Sequence, residues 1–220
     1  MSAPIAPRAG TNQHSPYDFA AWLVDLDGTL YRQQLVRAAM AAELALFGWP
    51  DIQILRAFRH EHERLRDLAI ANVSDPYAEQ IHRTALGLGV TKQAVTKTVE
   101  RWMINRPGRW IRLFRRRRLL REIAAYRAAG GKTAIVSDYP ARTKLAAIDV
   151  TSLFDVVIAC GETNAPCALK PHPDGLLRAA QGLGVSPDEC LVIGDRFDAD
   201  GEAAERAGMA FQHIKSFTVR

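Results

Sequence analysis

The 220-residue sequence predicts an α/β fold in which helices cover both faces of a parallel sheet and an all-helical segment is inserted after the first strand. Two observations predict this fold. Short apolar, β-branched runs alternate with helix-compatible stretches, as in sheets that are buried on both faces. Residues 31–114 break the alternation and have the pattern of consecutive helices. The strand-like runs are 20–24, 133–136, 154–159, 190–193 and 210–214.

Glycines mark the ends of the helices expected between the later strands. Residues 119–129, 173–183 and 201–207 each end at a glycine, the residue that most often stops a helix. Within the insertion, the expected helices are 36–47, 52–71, 76–86 and 92–103. These patterns divide the chain into a flexible tail at 1–16, a core at 17–30 and 115–220, and a helical cap at 31–114. Because the cap leaves directly after the first strand, we expect it to cover the end of that strand as a lid.

The composition predicts a soluble globular protein, because 48% of the residues are hydrophobic and no uncharged apolar run is long enough to span a bilayer. The N-terminal residues lack the apolar centre of a secretory signal. Cys160, Cys167 and Cys190 lack metal-type spacing, so we expect reduced, mostly buried thiols in a cytoplasmic protein. The net charge of +5 favours anionic partners without choosing among them.

Two acids at the end of the first strand are the strongest sign of chemistry. Asp25 and Asp27, in the run DLDGTL, point the same way, whereas Leu26 between them points into packing. Two carboxylates in one small space repel each other and raise each other's pKa. The arrangement therefore indicates a bound cation or a carboxyl group that carries a proton.

Further polar residues follow the later strands. Ser137 comes after the run 133–136, Lys170 begins the segment KPHP, and Asp195, Asp198 and Asp200 follow the run 190–193. Because the carboxyl ends of parallel strands lie along one edge of a sheet, we expect these residues to meet the first two acids. Carboxylates are the ligands that Mg²⁺ prefers, and a serine with a lysine can neutralise a phosphate.

Four motifs, in order, resemble those of the haloacid dehalogenase superfamily: DLDGTL (25–30), IVSDYP (135–140), LKPHPDG (169–175) and VIGDRFDADGEAA (192–204). The resemblance covers about residues 20–210 and is to phosphatases of the superfamily with a helical cap, of the phosphoglycolate phosphatase-like kind. It implies a Rossmann-like core and hydrolysis of a phosphomonoester of a small metabolite.

The resemblance also implies a role for each site residue. Asp25 would attack phosphorus to form an aspartyl-phosphate, and Asp27 would act as general acid and then general base. Mg²⁺ would be held by Asp25, the main-chain carbonyl of Asp27, Asp195 and, through water, Asp200. The phosphate oxygens would be held by Thr29, Ser137 and Lys170. Asp27 indicates an alcohol leaving group, because dehalogenases of the superfamily lack this second acid.

One position departs from the pattern of the superfamily. Asp138 stands where many relatives have asparagine. It either adds negative charge that alters the substrate contacts of the loop or caps the following helix. Tyr139 and Pro140 follow, which favours a role for this loop in substrate choice.

Two weaker features leave alternatives open. The run His60-Glu61-His62 lacks the spacing of a zinc pair and is expected to face solvent, although one face of this helix could reach substrate. That face carries Arg56, Arg59, His60 and Glu63. The run Arg115–Arg118 is expected to lead from cap to core with its stems over apolar surface, and binding to nucleic acid or an anionic membrane surface is the alternative.

The sequence therefore predicts a Mg²⁺-dependent phosphatase that acts on a small phosphorylated metabolite. A phosphomutase of the same superfamily, which returns the phosphoryl group to a sugar, is the nearest alternative. A nucleic-acid end phosphatase would depend on the arginine run, and a binding protein without turnover is disfavoured because the motif residues are intact. The substrate and the oligomeric state stay open.

Overall fold

The computed structural model describes residues 15–67, 75–160, 162 and 167–217, and these residues form a five-stranded parallel sheet with helices on both faces. The strand order is β3-β2-β1-β4-β5. The strands are β1 (Ala21–Val24), β2 (Lys132–Ser137), β3 (Val156–Ala159), β4 (Cys190–Gly194) and β5 (Ala210–His213). The predicted fold class is therefore confirmed, and each expected strand is present.

The helices of the described residues fall into two groups. Those between β1 and β2 are α1 (Gln33–Phe47), α2 (Ile52–Asp67), α3 (Pro76–Leu88), α4 (Lys92–Val99), α5 (Gly108–Phe114) and α6 (Arg117–Ala128). The later helices are α7 (Arg142–Ala147), α8 (Asp174–Leu183) and α9 (Glu202–Ala207). Asp75 and Thr91 begin α3 and α4 by accepting the N–H groups of Ala78 at 2.9 Å and Ala94 at 3.1 Å.

The core lies on both faces of the sheet because β1 is central and fully buried. Trp22, at one face, packs with Ile123 of α6, and Leu23, at the other face, packs with Leu176 of α8. Alternation of side chains along the strand produces this division. A strand of the sequence AWLV, apolar at every position, is typical of a parallel sheet with two covered faces.

The helical insertion has an apolar cluster of its own. The cluster joins α2, α3 and α4 and contains Phe58, Tyr77, Ile81, Ala85, Val95 and Val99. Tyr139, from the loop after β2, packs against this cluster and connects the insertion to the sheet. The expected helix 92–103 ends as an α-helix at Val99 and continues as a π-helical turn, Glu100–Asn105. The helix expected at 52–71 is described to Asp67, and the bounds 31–114 for the cap stay a prediction.

The structure also bears on the expected N-terminal tail and on membrane-spanning helices. Of the expected tail 1–16, residues 1–14 lie outside the described residues, and Pro16 is buried in a short 3₁₀ helix. No helix within the described ranges combines the length and apolar character needed to cross a bilayer.

The expectation of three reduced thiols is wrong, because Cys160 and Cys167 form a disulfide with a Cα–Cα distance of 4.9 Å. Cys190 is a buried free thiol.

Candidate active site

The register of the sheet brings the motif residues to one edge. Val24, the last residue of β1, pairs with Ile135 of β2 and Ile193 of β4, so the three strands end at nearly the same level. The N–H of Asp25 donates to the carbonyl of Ile193 at 2.9 Å. A cavity of about 230 Å³ lies at this edge. The predicted residues that line it are Asp25, Asp27, Ser137, Lys170, Asp195 and Asp200.

Lys170 lies at the centre of this group and is buried. Its Nζ atom donates to Asp25 Oδ1 at 2.7 Å and to Asp200 Oδ1 at 2.6 Å. Burial alone would lower the pKa of Lys170, but the charges of Asp200 and Asp25 outweigh it and hold the pKa well above its usual value. The ammonium group is therefore charged and offsets part of the negative charge of the acids around it.

Three carboxylates form a cluster that fits a divalent cation. Asp25, Asp195 and Asp200 each offer one oxygen, and these oxygens lie within 4.8 Å of one another. Asp25 Oδ2 is buried, and none of the described residues forms a hydrogen bond with it. Burial, together with the neighbouring acids, raises the pKa of both Asp25 and Asp195, although Lys170 opposes the rise. Hard oxygen donors with an unpartnered buried oxygen are a suitable donor set for Mg²⁺.

Gly28 allows the loop after β1 to approach this cluster. Its φ of +103° lies in the region that side chains rarely adopt, and a Cβ atom at this position would collide with the Asp195 carboxylate. Asp200 is fixed separately, because its Oδ2 accepts the N–H groups of Asp195 and Arg196, each at 3.1 Å. Asp198 is exposed and pairs with Arg196, as expected for an acid that faces solvent.

Asp27 has partners that the sequence motifs do not include. Lys144 Nζ, from α7, donates to both carboxylate oxygens of Asp27, at 2.6 Å and 2.7 Å. The hydroxyl of Tyr31 also donates to Asp27 Oδ1. Burial and the charge of Asp27 raise the pKa of Tyr31 well above its usual value, so Tyr31 stays a neutral donor. These contacts hold the Asp27 carboxylate in one orientation at the edge of the cavity.

The loop after β2 contacts the helical insertion. Asp138 accepts the N–H of Lys170 at 3.0 Å and the guanidinium of Arg66, from α2, at 3.0 Å. Burial would raise the pKa of Asp138, but Lys170, His62 and Arg66 outweigh it and lower the pKa. Of the two alternatives for Asp138, the helix cap is not found, because α7 begins at Arg142 with Ala141 as its N-cap residue, and Glu162 rather than Asp138 accepts the N–H groups of Ala141 and Arg142, at 2.9 Å and 3.2 Å.

Thr29 is the one predicted site residue that does not line the cavity. It is fully buried, and its hydroxyl has no hydrogen-bond partner. Ser137 is also buried, but it lines the cavity and its Oγ accepts the N–H of Tyr139 at 3.2 Å. Thr29 lies one position beyond Gly28, in the turn that follows β1. Its role in phosphate binding stays a prediction.

The face of α2 that lies toward the site differs from the face that was expected to reach substrate. Arg59 and Glu63 line the space between the helical insertion and the sheet edge, whereas Arg56 and His60 do not. The expectation that the run 60–62 faces solvent is wrong for His62, which is only 1% exposed and stacks on Tyr139 at 4.2 Å. Positions 59, 63 and 66 are spaced so that their side chains lie on one face of a helix. This spacing could have predicted that Arg66 shares the face with Arg59 and Glu63.

The run Arg115–Arg118 lines a separate cavity of about 420 Å³ that also includes Arg32. Apolar side chains share its wall, among them Phe114 and Leu119. One guanidinium, that of Arg116, donates to the carbonyl of Gly28 at 3.3 Å and so contacts the loop after β1 from behind. This placement agrees with a basic connection whose stems cover apolar surface.

Comparison with known proteins supports the same identification. A family model described as haloacid dehalogenase-like hydrolase matches residues 19–208. Glyceraldehyde 3-phosphate phosphatase of Methanopyrus kandleri is 36% identical over 72 residues, which cover 33% of this chain and 30% of that protein. Phosphoglycolate phosphatase of Escherichia coli strain K12 is 34% identical over 89 residues, covering 39% of this chain and 34% of that protein. The chain therefore matches about a third of the length of these curated relatives.

Solved structures agree on the fold. L-2-haloacid dehalogenase from Xanthobacter autotrophicus has a TM-score of 0.63 and 22% identity, covering 91% of this chain and 79% of that chain. β-Phosphoglucomutase from Clostridium difficile has a TM-score of 0.54 and 18% identity, covering 88% of this chain and 83% of that chain. Since the family model spans most of the sequence and the motif residues meet in one cavity, the chain belongs to the haloacid dehalogenase-like hydrolases.

Proposed function

We propose that the protein is a Mg²⁺-dependent phosphomonoester hydrolase that acts on a small phosphorylated metabolite. One observation carries the proposal. Asp25 lies buried at the sheet edge with Oδ1 bound by Lys170 and Oδ2 without a hydrogen-bond partner. A carboxylate held by Lys170 in this way can present one oxygen to phosphorus and the other to a metal ion. The phosphatases among the curated relatives support the same class of reaction.

In the first half of the proposed reaction, an Asp25 oxygen forms a bond to phosphorus as the bond to the leaving oxygen breaks. The product is an aspartyl-phosphate, and the leaving oxygen takes a proton from Asp27 to become an alcohol. Asp27 favours ester hydrolysis over dehalogenation, because a halide needs no proton to leave. In the second half, water attacks the phosphorus, Asp27 accepts its proton, and inorganic phosphate is released with Asp25 regenerated.

The partners of Asp27 suit the second half of this sequence. Lys144 and Tyr31 both donate to the Asp27 side chain, which keeps its oxygens as acceptors in a fixed orientation. A general base must present a lone pair toward the attacking water. Lys144 is thus a positioning residue in this proposal, because it acts on the reaction through Asp27.

The charged groups of the cavity suit phosphate binding. Ser137 and Lys170 would hold phosphate oxygens, and Lys170 keeps its positive charge because two acids raise its pKa. Asp25, Asp195 and Asp200 would hold Mg²⁺. When bound, Mg²⁺ would withdraw charge from the phosphoryl oxygens. The helical insertion would cover the cavity during the first half and limit access of water.

The test is phosphate release from a panel of phosphomonoesters with Mg²⁺ and with a chelator. The panel contains sugar phosphates, glycolate phosphate, glyceraldehyde 3-phosphate, nucleotides and 4-nitrophenyl phosphate. We expect Mg²⁺-dependent release that Asp25→Asn abolishes, while the exposed Asp198→Asn retains it. Full activity of Asp25→Asn would reject the assigned nucleophile.

Two other outcomes would replace the proposal. Conversion of a sugar phosphate to its isomer, without release of inorganic phosphate, would identify a phosphomutase. Release of chloride from 2-chloropropionate, with no phosphate release from any ester, would identify a dehalogenase.

A further inference from the structure

A second cavity adjoins the proposed active site. It has a volume of about 260 Å³ and lies between the sheet edge and the helical insertion. Both cavities share part of their wall, formed by Asp27, Gln33, Arg37, Glu63 and Tyr139. A substrate whose phosphate lies beside Asp25 would therefore extend its remaining atoms into this second cavity, which we call the cleft.

The acids of the cleft already have cationic partners. Asp27 pairs with Lys144 at 2.6 Å. Glu63 pairs with Arg66 at 2.9 Å and lies 3.7 Å from Arg196. Further acids are absent from the described residues that line the cleft. Negative charge within the cleft is thus matched before any ligand enters.

Two cations of the cleft, by contrast, have no such partner. Arg37 of α1 and Arg59 of α2 both line it, and both side chains are open to solvent. Within the part of the chain that the structure describes, no carboxylate forms an ion pair or hydrogen bond with either guanidinium. These two arginines come from different helices of the insertion, so the fold brings two unmatched positive charges to one side of the active site.

The two guanidinium groups also act on each other. Although Arg59 as a residue is exposed, neighbouring protein atoms in the cleft remove part of the water around its guanidinium, which lowers its pKa, and the positive charge of Arg37 lowers the pKa further. Like charges that act on each other in this way destabilise one another, and an anion between them would relieve the repulsion. Guanidinium groups bind carboxylate and phosphate through paired N–H donors, so an oxyanion is the ligand that this pair would accept.

The remaining wall of the cleft limits the rest of the ligand. It combines an apolar side, formed by Val36, Met40, Trp102, Met103 and Ile104, with polar side chains such as Gln33 and Tyr77. An apolar wall leaves the hydroxyl groups of a sugar without partners, which costs binding free energy. The apolar side of the cleft therefore favours a short body with few hydroxyl groups between the scissile phosphate and the second anionic group.

We propose that Arg37 and Arg59 bind a second anionic group, a carboxylate or a second phosphate, at the end of the substrate remote from the scissile phosphate. This inference rests on the proposed phosphatase function and defines its substrate class as small dianionic phosphate esters. The two arginines determine specificity, because they touch the substrate away from the bond that breaks.

The test compares esters that differ only in the remote group. Glycolate 2-phosphate carries a carboxylate, 2-hydroxyethyl phosphate carries a neutral hydroxyl in its place, and ethane-1,2-diol bisphosphate carries a second phosphate. We expect kcat/KM to be at least about tenfold higher for one or both of the doubly anionic esters than for the neutral one. The better of the two identifies the second anion.

Variants assign the preference to the two arginines. Arg37→Gln and Arg59→Gln should each reduce the preference at least about fivefold, mainly through KM of the doubly anionic ester, and Arg59→Lys should retain part of it. Because both side chains are exposed, these changes are compatible with folding. Arg56→Gln is the matched control, since Arg56 is exposed on the same helix and does not line the cleft.

The outcomes separate this inference from the function on which it rests. Equal kcat/KM for all three esters, with normal phosphate release, would overturn the inference and leave the phosphatase standing. A preference that persists in both glutamine variants would also overturn it. No phosphate release from any ester would reject both.

Discussion

Lys144 Nζ contacts both carboxylate oxygens of Asp27, at 2.6 Å and 2.7 Å, and Tyr31 donates to one of the same oxygens. Lys144 lies on α7, well outside the sequence motif that contains Asp27. The contact therefore connects Asp27, which is proposed to act first as acid and then as base, to a helix on the core side of the site. Its effect on catalysis should be separable from its effect on folding.

We predict that Lys144→Met lowers kcat by about 100-fold for an alkyl phosphate, with a smaller change in KM, because Asp27 loses the partner that orients it. Because Asp27 acts on the leaving group in the first half and on water in the second, a defect confined to the alkyl phosphate would place the loss in the first half, and an equal defect with 4-nitrophenyl phosphate, whose leaving group needs little protonation, would place it in the second. Steady-state kinetics with both substrates measure the difference. Thr143→Ala, an exposed neighbour on the same helix, is the control. An unchanged kcat with both substrates would show that Lys144 does not act through Asp27.

Gly28→Ala should weaken Mg²⁺ binding. The added methyl group would meet the Asp195 carboxylate and must displace it, and the φ of +103° adds backbone strain. Gly130 is a matched control, because its φ is +94° but no atom lies within 4 Å of the Cβ position. Both alanine variants should lose about 1 kcal/mol of stability from the backbone, and only Gly28→Ala should also lose Mg²⁺ affinity. Titration calorimetry with Mg²⁺ distinguishes them, and equal affinities would contradict the prediction.

The sequence was sufficient to predict the motif residues that line the active-site cavity, because most of these residues follow strands. Asp25, Ser137 and Asp195 each come at or just after the end of a strand in a parallel sheet, where topology alone brings them together. The apolar runs identify those strands without knowledge of tertiary packing. Lys170 follows a loop rather than a strand, so its position at the site was predicted from the motif LKP.

The partners contributed by helices could not be predicted in the same way. The face of a helix that covers a site depends on how the helix packs, and α7, with six residues, is too short to show a periodic pattern. Lys144 and Arg66 were missed for this reason. Similarly, the pairing of Cys160 with Cys167 depends on a close approach of the two residues in the folded protein, which spacing alone does not determine.

Mg²⁺ should stabilise the fold, and the effect should grow with pH. Burial and neighbouring acids raise the pKa of Asp25 and Asp195, so the folded protein binds these protons more tightly than the unfolded chain does. Without metal, the stability that comes from these protons is lost as the pH rises through the raised pKa values. Mg²⁺ competes with the same protons. Its increase in Tm should therefore be largest at neutral pH and should shrink as the pH falls.

Thermal denaturation with Mg²⁺ and with a chelator, at several pH values, checks this prediction. Asp195→Asn should remove most of the Mg²⁺-dependent shift in Tm, whereas Asp198→Asn, an exposed acid three residues away, should retain it. A shift in Tm of constant size across the pH range would contradict competition between Mg²⁺ and protons at these carboxylates.

Arg66 and Asp138 form a buried ion pair between the helical insertion and the loop after β2, with side chains only 9% and 5% exposed. Arg66→Met should lower the free energy of unfolding by about 3 kcal/mol, because it leaves the Asp138 carboxylate buried with one partner fewer. The pair between Arg64 and Glu61 on the same helix is the control. Since Arg64 is 55% exposed, Arg64→Met should cost less than about 0.5 kcal/mol.

The dependence of stability on pH is an independent test of the ion pair between Arg66 and Asp138. Although burial raises it, the pKa of Asp138 is lowered overall by Lys170, His62 and Arg66. A carboxyl whose pKa is lowered on folding contributes stability above its unfolded pKa, and this stability is lost as the pH falls through the folded pKa. Removing Arg66 raises the pKa of Asp138 in the folded protein. As the pH falls, the loss of stability should therefore begin at a higher pH in Arg66→Met than in the parent.

A double-mutant cycle tests the same ion pair. Asp138→Asn should remove the stability that the Asp138 carboxylate contributes, so adding Arg66→Met to Asp138→Asn should cost at least about 1 kcal/mol less than adding it to the parent. Simple additivity in denaturant unfolding would mean that the two side chains do not stabilise each other.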